Sequence, residues 1–147
     1  NSAMDIEDSA FEMNLFTGIL LGLVVVVLIV KANPKPQTVS KEVVDQVQKM
    51  IDDNPVFVAS KSYCPYCKET LNTLFEVLKV PVADALVLQL DTMDDGDQIQ
   101  VALKQLNGQR TVPSIYIGQE FIGGNSDLQK LYTSGALKTK LEKVVRI

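Results

Sequence analysis

The chain has 147 residues and a formal net charge of −4, and it contains two cysteines and no histidine. This length suits one ordinary domain, and the acidic balance gives no support for nucleic-acid binding, which usually needs a basic face. Without histidine there is no Cys–His nucleophile pair and no histidine general base. Two cysteines are also too few for a four-ligand zinc site within one chain, so we expect no metal and no nucleic-acid partner.

The N-terminal part carries an uncharged apolar stretch of sixteen residues, Leu15 to Val30. As a helix it would cover about 24 Å, somewhat less than the ~30 Å hydrocarbon core of a bilayer. Acidic residues precede this stretch and lysines follow it, and basic residues are retained on the cytoplasmic side of a membrane. We therefore predict a membrane anchor at residues 15–30, with the C-terminal domain facing the cytosol. The alternative is a targeting segment that leads to a mitochondrial or secretory-pathway lumen.

A linker of proline and polar residues, 32–37, follows the apolar stretch and is expected to be extended. These features divide the chain into an N-terminal segment with its linker, residues 1–37, and a folded domain, residues 38–147.

The first half of the folded domain alternates helical and strand patterns. Apolar residues at helical spacing predict one helix over 41–53, with Ser40 as its N-cap, and a second over 65–79. Between and after these helices, Val56–Ser60 and Ala85–Asp91 are short apolar runs of β-forming residues, which predict two buried strands.

The second half predicts a further helix, a hairpin and a last helical region. The helix ends at Asn107-Gly108, and strands at 114–118 and 120–124 flank a tight turn. Ser126 is the expected N-cap of a helical region that extends to residue 146 with a break near Gly135. The order αβαβαββαα predicts an α/β fold with a four-stranded mixed sheet and helices on both faces.

Both cysteines lie in the stretch KSYCPYCKET, where Cys64 and Cys67 are two residues apart. A disulfide between them closes too short a loop to stabilise a fold, so the spacing favours a redox pair. Cys64 lies between a buried strand and a helix start, where unpaired N–H groups stabilise a thiolate, and Pro65 suits the first helical position. Cys67 lies one turn deeper. We therefore predict that Cys64 attacks and Cys67 resolves.

Three motifs in this order carry a resemblance to a known family. They are CPYC at 64–67, TVP at 111–113 and GGNSD at 123–127. Residues 38–147 resemble a dithiol glutaredoxin of the thioredoxin fold, most of all the fungal members, in which these motifs are the active-site tetrad, the cis-proline loop and a glycine turn before a helix. The resemblance implies glutathione as co-substrate and a monomeric catalytic domain. The apolar segment departs from the common soluble members.

The resemblance also implies where glutathione binds. Basic and amide side chains hold its glycyl carboxylate, and a backbone before a cis-proline pairs with its cysteinyl unit as an added strand. N–H groups at a helix start bind its γ-glutamyl carboxylate, an acid binds its ammonium group, and a tyrosine covers the sulfur. The resemblance assigns the glycyl carboxylate to Lys61, Gln100 and Arg110, and the cysteinyl unit to Thr111, Val112 and Pro113. It assigns the γ-glutamyl end to Gly124, Ser126 and Asp127, with Asp127 as the acid, and the cover over the sulfur to Tyr66.

The implied reactions are the reduction of protein–glutathione mixed disulfides by Cys64 and of protein disulfides by Cys64 together with Cys67. The partners are then glutathionylated or disulfide-containing proteins. Two other functions stay open. One is a module in which Cys64 and glutathione from two subunits hold a [2Fe–2S] cluster. Pro65 argues against it, because Pro65 resembles the proline of family members that do not assemble such clusters readily. The other is a membrane-tethered redox adaptor without turnover.

Overall fold

A computed structural model describes residues 37–147, of which Thr38–Ile147 form one compact unit. The predicted anchor at residues 15–30 lies outside the described residues. Within residues 37–147, no helix is both long and apolar enough to cross a bilayer.

Five α-helices and four strands make up the described part of the chain. They are α1 (Lys41–Asp52), β1 (Val56–Ser60), α2 (Pro65–Leu71), β2 (Ala85–Gln89), α3 (Gly96–Asn107), β3 (Ser114–Ile117), β4 (Glu120–Gly123), α4 (Asn125–Thr133) and α5 (Ala136–Glu142). A π-helical segment (Asn72–Val77) continues α2, and two 3₁₀ turns (Val82–Asp84 and Leu90–Thr92) flank β2. The predicted order of helices and strands is confirmed.

The four strands form one mixed sheet in the order β2-β1-β3-β4. β1 pairs in parallel with β2 and antiparallel with β3, and β4 continues the sheet antiparallel to β3. The hairpin turns at Gly118 and Gln119, both of which have positive φ, the geometry that the tightest hairpin turns require. A four-stranded mixed sheet was predicted, and it is confirmed.

Side chains of the central strand β1 alternate between two cores, as the pleat requires. Phe57 and Ala59 belong to a core that α1 and α3 cover. Val56 and Val58 belong to the opposite core, which the π segment, α4 and α5 cover. Because every residue of β1 is buried, the loop that follows this strand has a firmly held starting point.

Several predicted boundaries are wrong. The helix predicted over 65–79 is α-helical only to Leu71, where the Thr73 hydroxyl donates to the Glu69 carbonyl at 3.0 Å and the ladder widens to π geometry. The strand predicted to Asp91 ends at Gln89, since a 3₁₀ turn carries Asp91 toward Ser62. The last helix ends at Glu142 rather than at residue 146.

Ser40 occupies the N-cap position of α1, but its side chain makes no capping hydrogen bond. The carboxylate of Glu42, in the first turn, accepts hydrogen bonds from its own backbone N–H and from the Ser40 hydroxyl, and both lower the pKa of Glu42. The predicted role of the Ser40 side chain is therefore wrong because a first-turn carboxylate takes over its hydroxyl.

Candidate active site

The sheet topology gathers four chain segments at one edge. Ala59 pairs with Ser114 and Ser60 pairs with Gln89, so β1 and β2 end where β3 begins. β4 is antiparallel to β3 and ends beside it, with Gly123 paired to Ile115. The segments that adjoin these strand ends hold the CPYC motif, Asp91, the TVP motif and the glycine turn, so the topology places the three motifs of the sequence at one edge.

Cys64 is the N-cap of α2, with an extended backbone at φ −84° and ψ 116°. Its sulfur accepts a hydrogen bond from the backbone N–H of Cys67 at 3.2 Å, and its thiol donates to the carbonyl of Val112 at 3.8 Å. The sulfur thus replaces the oxygen of an ordinary N-cap side chain. The Cys64 sulfur therefore lies at the first-turn N–H groups of α2.

Cys67 is buried more deeply than Cys64, with 1% of its surface exposed against 8%, and no disulfide joins the two residues. Burial, together with the hydrogen bond to Cys64, raises the pKa of Cys67 to about 11. At pH 7 a thiol with that pKa is ionised in about one molecule in 10⁴. The predicted difference in exposure is confirmed, and Cys67 is held as a protonated thiol.

The cis-proline loop lies against Cys64. The peptide bond between Val112 and Pro113 is cis, as predicted. The side-chain amide of Gln109 donates to the carbonyls of Thr111 and Pro113, each at 2.8 Å. Pro113 is buried, Val112 is half-buried and Thr111 is exposed. Gln109 therefore fixes the conformation of the loop. This role was not predicted, because a glutamine two residues before the TVP motif carries no recognisable signal for it.

The glycine turn leads into α4, which begins at Asn125 with Gly124 as its N-cap. The prediction that Ser126 caps this helix is wrong, because the Asp127 carboxylate reaches back and accepts a hydrogen bond from the Gly124 N–H at 3.1 Å. Gly123 has φ +115°, which favours glycine, and a Cβ there would lie 2.2 Å from the Asp127 carboxylate and would displace that side chain. Ser126 and Asp127 are exposed in the first turn, where backbone N–H groups lack intrahelical acceptors.

Of the three basic and amide residues assigned to the glycyl carboxylate, Gln100 and Arg110 are in direct contact. The side chain of Gln100 donates to the carbonyl of Arg110 at 2.8 Å, and the side chain of Arg110 is exposed. Lys61 lies beside Asp91, whose pKa is lowered first by the hydroxyl and backbone N–H of Ser62 and also by the Lys61 charge. No hydrogen bond within residues 37–147 joins Lys61 to Gln100 or Arg110. Asp91 was not predicted as part of this region.

Tyr66 is the second residue of α2 and is 65% exposed. Among the described residues, no group of three or more Cys, Asp or Glu side chains is arranged to hold a metal ion.

Comparison with known proteins identifies the family of this chain. The glutaredoxin family model matches residues 56–122. Glutaredoxin-1 of Saccharomyces cerevisiae is 55% identical over 107 residues, which cover 73% of this chain and 97% of that protein. Glutaredoxin-2 of Schizosaccharomyces pombe is 47% identical over 91 residues, which cover 62% of this chain and 79% of that protein.

Among solved structures, the chain is similar to a buckwheat glutaredoxin in complex with glutathione, with a TM-score of 0.64 and 34% identity. The superposition covers 72% of this chain and 96% of the buckwheat protein. The thioredoxin-like fold implied by the CPYC, TVP and GGNSD motifs is confirmed. The chain belongs to the glutaredoxin family and is a glutathione-dependent thiol-disulfide oxidoreductase.

Proposed function

We propose that the protein reduces protein–glutathione mixed disulfides with Cys64 alone and protein disulfides with Cys64 and Cys67 together. The observation that carries this division is the N-cap geometry of Cys64, whose sulfur accepts the Cys67 N–H at 3.2 Å, set against the pKa of about 11 at Cys67. One sulfur is held ready as a nucleophile, while the other stays protonated until a disulfide forms next to it.

In the first reaction, the Cys64 thiolate attacks the glutathione sulfur of a mixed disulfide. The bond to the substrate protein breaks, the departing protein thiolate takes a proton, and Cys64 becomes glutathionylated. The thiolate of a second glutathione then attacks the glutathione sulfur on Cys64, which releases glutathione disulfide and restores the Cys64 thiolate. For a protein disulfide, the Cys64 thiolate attacks one of its sulfurs and forms a mixed disulfide with the substrate protein. Cys67 then loses its proton and attacks the Cys64 sulfur, so that the reduced protein leaves and a Cys64–Cys67 disulfide remains. Two glutathiones reduce this disulfide and leave as glutathione disulfide.

The proposed glutathione site lies between the cis-proline loop and the start of α4. The carbonyl of Val112 points at the Cys64 thiol, so the backbone there suits the cysteinyl unit. The first-turn N–H groups of Ser126 and Asp127 suit the γ-glutamyl carboxylate, and the exposed Asp127 carboxylate suits the ammonium group. The similar buckwheat glutaredoxin forms a complex with glutathione, which supports a site of this kind.

At the other end of glutathione, we assign the glycyl carboxylate to Lys61, Gln100 and Arg110, with Thr111 beside them and Tyr66 over the sulfur. Lys61 contributes a charge beside the Cys64 loop, and Gln100 is bonded to the carbonyl of Arg110 at 2.8 Å. These side chains suit an anion by charge and by donor type.

One pair of substrates tests glutathione recognition directly. The same peptide is prepared as a mixed disulfide with glutathione and as a mixed disulfide with free cysteine. Because only the first carries the γ-glutamyl and glycyl groups, we expect its kcat/KM to be at least about tenfold higher, the value of one or two charge-assisted hydrogen bonds. Equal values for the two peptides would contradict the proposed site.

We also propose that residues 15–30 anchor the protein and that the catalytic domain faces the cytosol. Support comes from the lysines that follow the apolar stretch and from the need of the second half-reaction for reduced glutathione. In intact organelles, added protease is expected to digest the C-terminal domain without detergent. Protection until the membrane is dissolved would place the domain in a lumen.

A further inference from the structure

A polar junction joins α2 to α4 on the side of the sheet that these helices cover. Its centre is Asn125, which is 8% exposed and is the first residue of α4. The Asn125 side-chain oxygen accepts hydrogen bonds from the Thr70 hydroxyl at 2.9 Å and from the Gln129 amide at 3.1 Å. Its side-chain NH₂ donates to the carboxylate of Glu69 at 2.6 Å.

These partners make the arrangement self-consistent. An ionised carboxylate only accepts hydrogen bonds, so the NH₂ of Asn125 must face Glu69 and its oxygen must face the two donors. Gln129 extends the network by donating to the Thr73 hydroxyl at 3.0 Å, which in turn donates to the Glu69 carbonyl at 3.0 Å. Thr70, Thr73 and Asn125 are buried, Gln129 is half-buried, and Glu69 closes the network from the exposed side. A polar network whose buried members are all hydrogen-bonded holds its elements in one arrangement.

The junction connects two places that matter for the reaction. Glu69 and Thr70 belong to the helix that begins at Cys64, whereas Asn125 directly precedes Ser126 and Asp127. The network therefore links the helix that activates the thiol to the helix start assigned to the γ-glutamyl carboxylate. Any slip of one helix along the other would change the distance between the sulfur and that carboxylate site.

We propose that Glu69 and Asn125 are positioning residues that set the spacing between the Cys64 sulfur and the N-terminus of α4, and so determine specificity for glutathionylated substrates. This inference rests on the proposed glutathione site. Changes at Glu69 or Asn125 should weaken binding of the glutathione moiety. They should leave the intrinsic reactivity of Cys64 unchanged, because the hydrogen bonds of Cys64 are made to Cys67 and Val112.

Variants at Glu69 separate spacing from folding. Glu69→Leu removes the acceptor of the Asn125 NH₂, whereas Glu69→Gln keeps an oxygen that can accept the same bond. We expect Glu69→Leu to raise KM for the glutathionylated peptide about fivefold with kcat within about twofold, the scale of one lost charge-assisted hydrogen bond. Glu69→Gln should stay within about twofold of wild type. Glu76→Leu, at an exposed glutamate of the π segment, is the matched control and should change neither value.

The reactivity of Cys64 is measured separately, as the rate of iodoacetamide alkylation in a Cys67→Ser background. We expect the Glu69→Leu rate to equal that of the parent. Thr70→Val, which removes one donor to Asn125 without changing charge or shape, gives a second test if Glu69→Leu folds poorly. It should raise KM in the same direction, about twofold.

Three outcomes would overturn the inference. They are an unchanged KM in both Glu69→Leu and Thr70→Val, a KM in Glu69→Gln as high as in Glu69→Leu, and slowed alkylation of Cys64 in step with the rise in KM, which would show a disturbed α2. Failure of the proposed function itself is seen in the wild-type protein, as equal kcat/KM for glutathionylated and cysteinylated peptides, and overturns the inference with it.

Discussion

Two helices of this protein begin at the same edge of the sheet, and their N-termini are used differently. At α2 the N-cap side chain is the sulfur of Cys64, which accepts the N–H of Cys67 at 3.2 Å. At α4 the N-cap is Gly124, which has no side chain, and the Asp127 carboxylate binds the Gly124 N–H instead. The first-turn N–H groups of α4 are therefore open to an anion from outside.

The comparison shows that a helix N-terminus serves two different purposes in this protein. Both N-termini stabilise negative charge through unpaired N–H groups and the helix dipole. At α2 the group at this place is the protein's own Cys64 sulfur, whereas at α4 it is proposed to be the carboxylate of the substrate. A side chain at the N-cap keeps the N–H groups for the protein, and a glycine leaves them to a ligand.

The largest expected effect comes from replacing the cysteines at the start of α2. Cys64→Ser should lower glutathione-dependent reduction of mixed disulfides by at least about 10³-fold, because a hydroxyl at this N-cap is not a usable nucleophile. Cys67→Ser should keep this activity within about threefold and lose most reduction of protein disulfides. Both are measured by coupling glutathione disulfide formation to NADPH oxidation. A Cys67→Ser protein that is the more impaired of the two on mixed disulfides would reverse the assigned roles.

The next effect concerns stability at alkaline pH. The pKa of Cys67 is raised from its ordinary 9.0 to about 11 in the folded protein, so the unfolded chain loses this proton first as pH rises. The contribution to stability is complete below about pH 9 and is lost toward pH 11. Between about pH 8 and 10.5, the free energy of unfolding should fall on the order of 2 kcal/mol further in wild type than in Cys67→Ser.

Urea unfolding under reducing conditions at the two pH values measures this difference. The Cys67→Ser protein is its own control for lysine and tyrosine titration, which both proteins share. Parallel loss of stability in the two proteins would show that Cys67 titrates as an ordinary thiol, and the contrast between the two cysteines would disappear.

A smaller effect is expected from a change in the charge at the start of α4. Asp127→Asn keeps an oxygen that can accept the Gly124 N–H, so the helix start is preserved, but it removes the charge proposed to bind the ammonium group of glutathione. We expect KM for a glutathionylated peptide to rise about tenfold with little change in kcat. Asp45→Asn, at an exposed carboxylate in α1, is the matched control. An unchanged KM in Asp127→Asn would remove this residue from the site.

The smallest effect concerns the charge near Cys64. Lys61→Gln should raise the same KM about threefold at low salt, since a partly exposed charge pair contributes up to about 1 kcal/mol. The difference from wild type should shrink as salt screens the charge. Lys68→Gln, at an exposed lysine of α2, should have no such effect. Equal rises in KM for the two variants would indicate that the overall positive charge near the site attracts the substrate, rather than a contact with Lys61.

What could be predicted from the sequence was local in the chain. The strand before Cys64 and the helix after it each have signals within a few residues, whereas the cis bond before Pro113 was implied by the resemblance of the TVP motif. The hairpin and the glycine that ends α3 were equally readable, since positive φ at Gly118 and Gly108 requires particular residues.

The features that escaped prediction depend on side-chain contacts that no local pattern predicts, some across two to four residues and others across more than fifty. Gln109 holds the cis-proline loop only because the loop folds back over it. Asn125 meets Glu69 across 56 positions of sequence, and the π segment after Leu71 accompanies a hydroxyl of Thr73 that Gln129 also contacts. The true N-cap of α4 was missed because Asp127, a turn later, determines it. Tertiary contacts override local preference at Asn125 and at the π segment.

The central claim, that glutathione lies between Cys64 and the open N-terminus of α4, is tested most directly by backbone amide NMR of the Cys67→Ser protein. Spectra are compared before and after Cys64 is converted to its mixed disulfide with glutathione, and again with its mixed disulfide with cysteine. Glutathione, but not cysteine, should shift the amides of Ser126 and Asp127 strongly, while both should shift that of Cys67. Unchanged amides at Ser126 and Asp127 in the glutathione form would contradict the account.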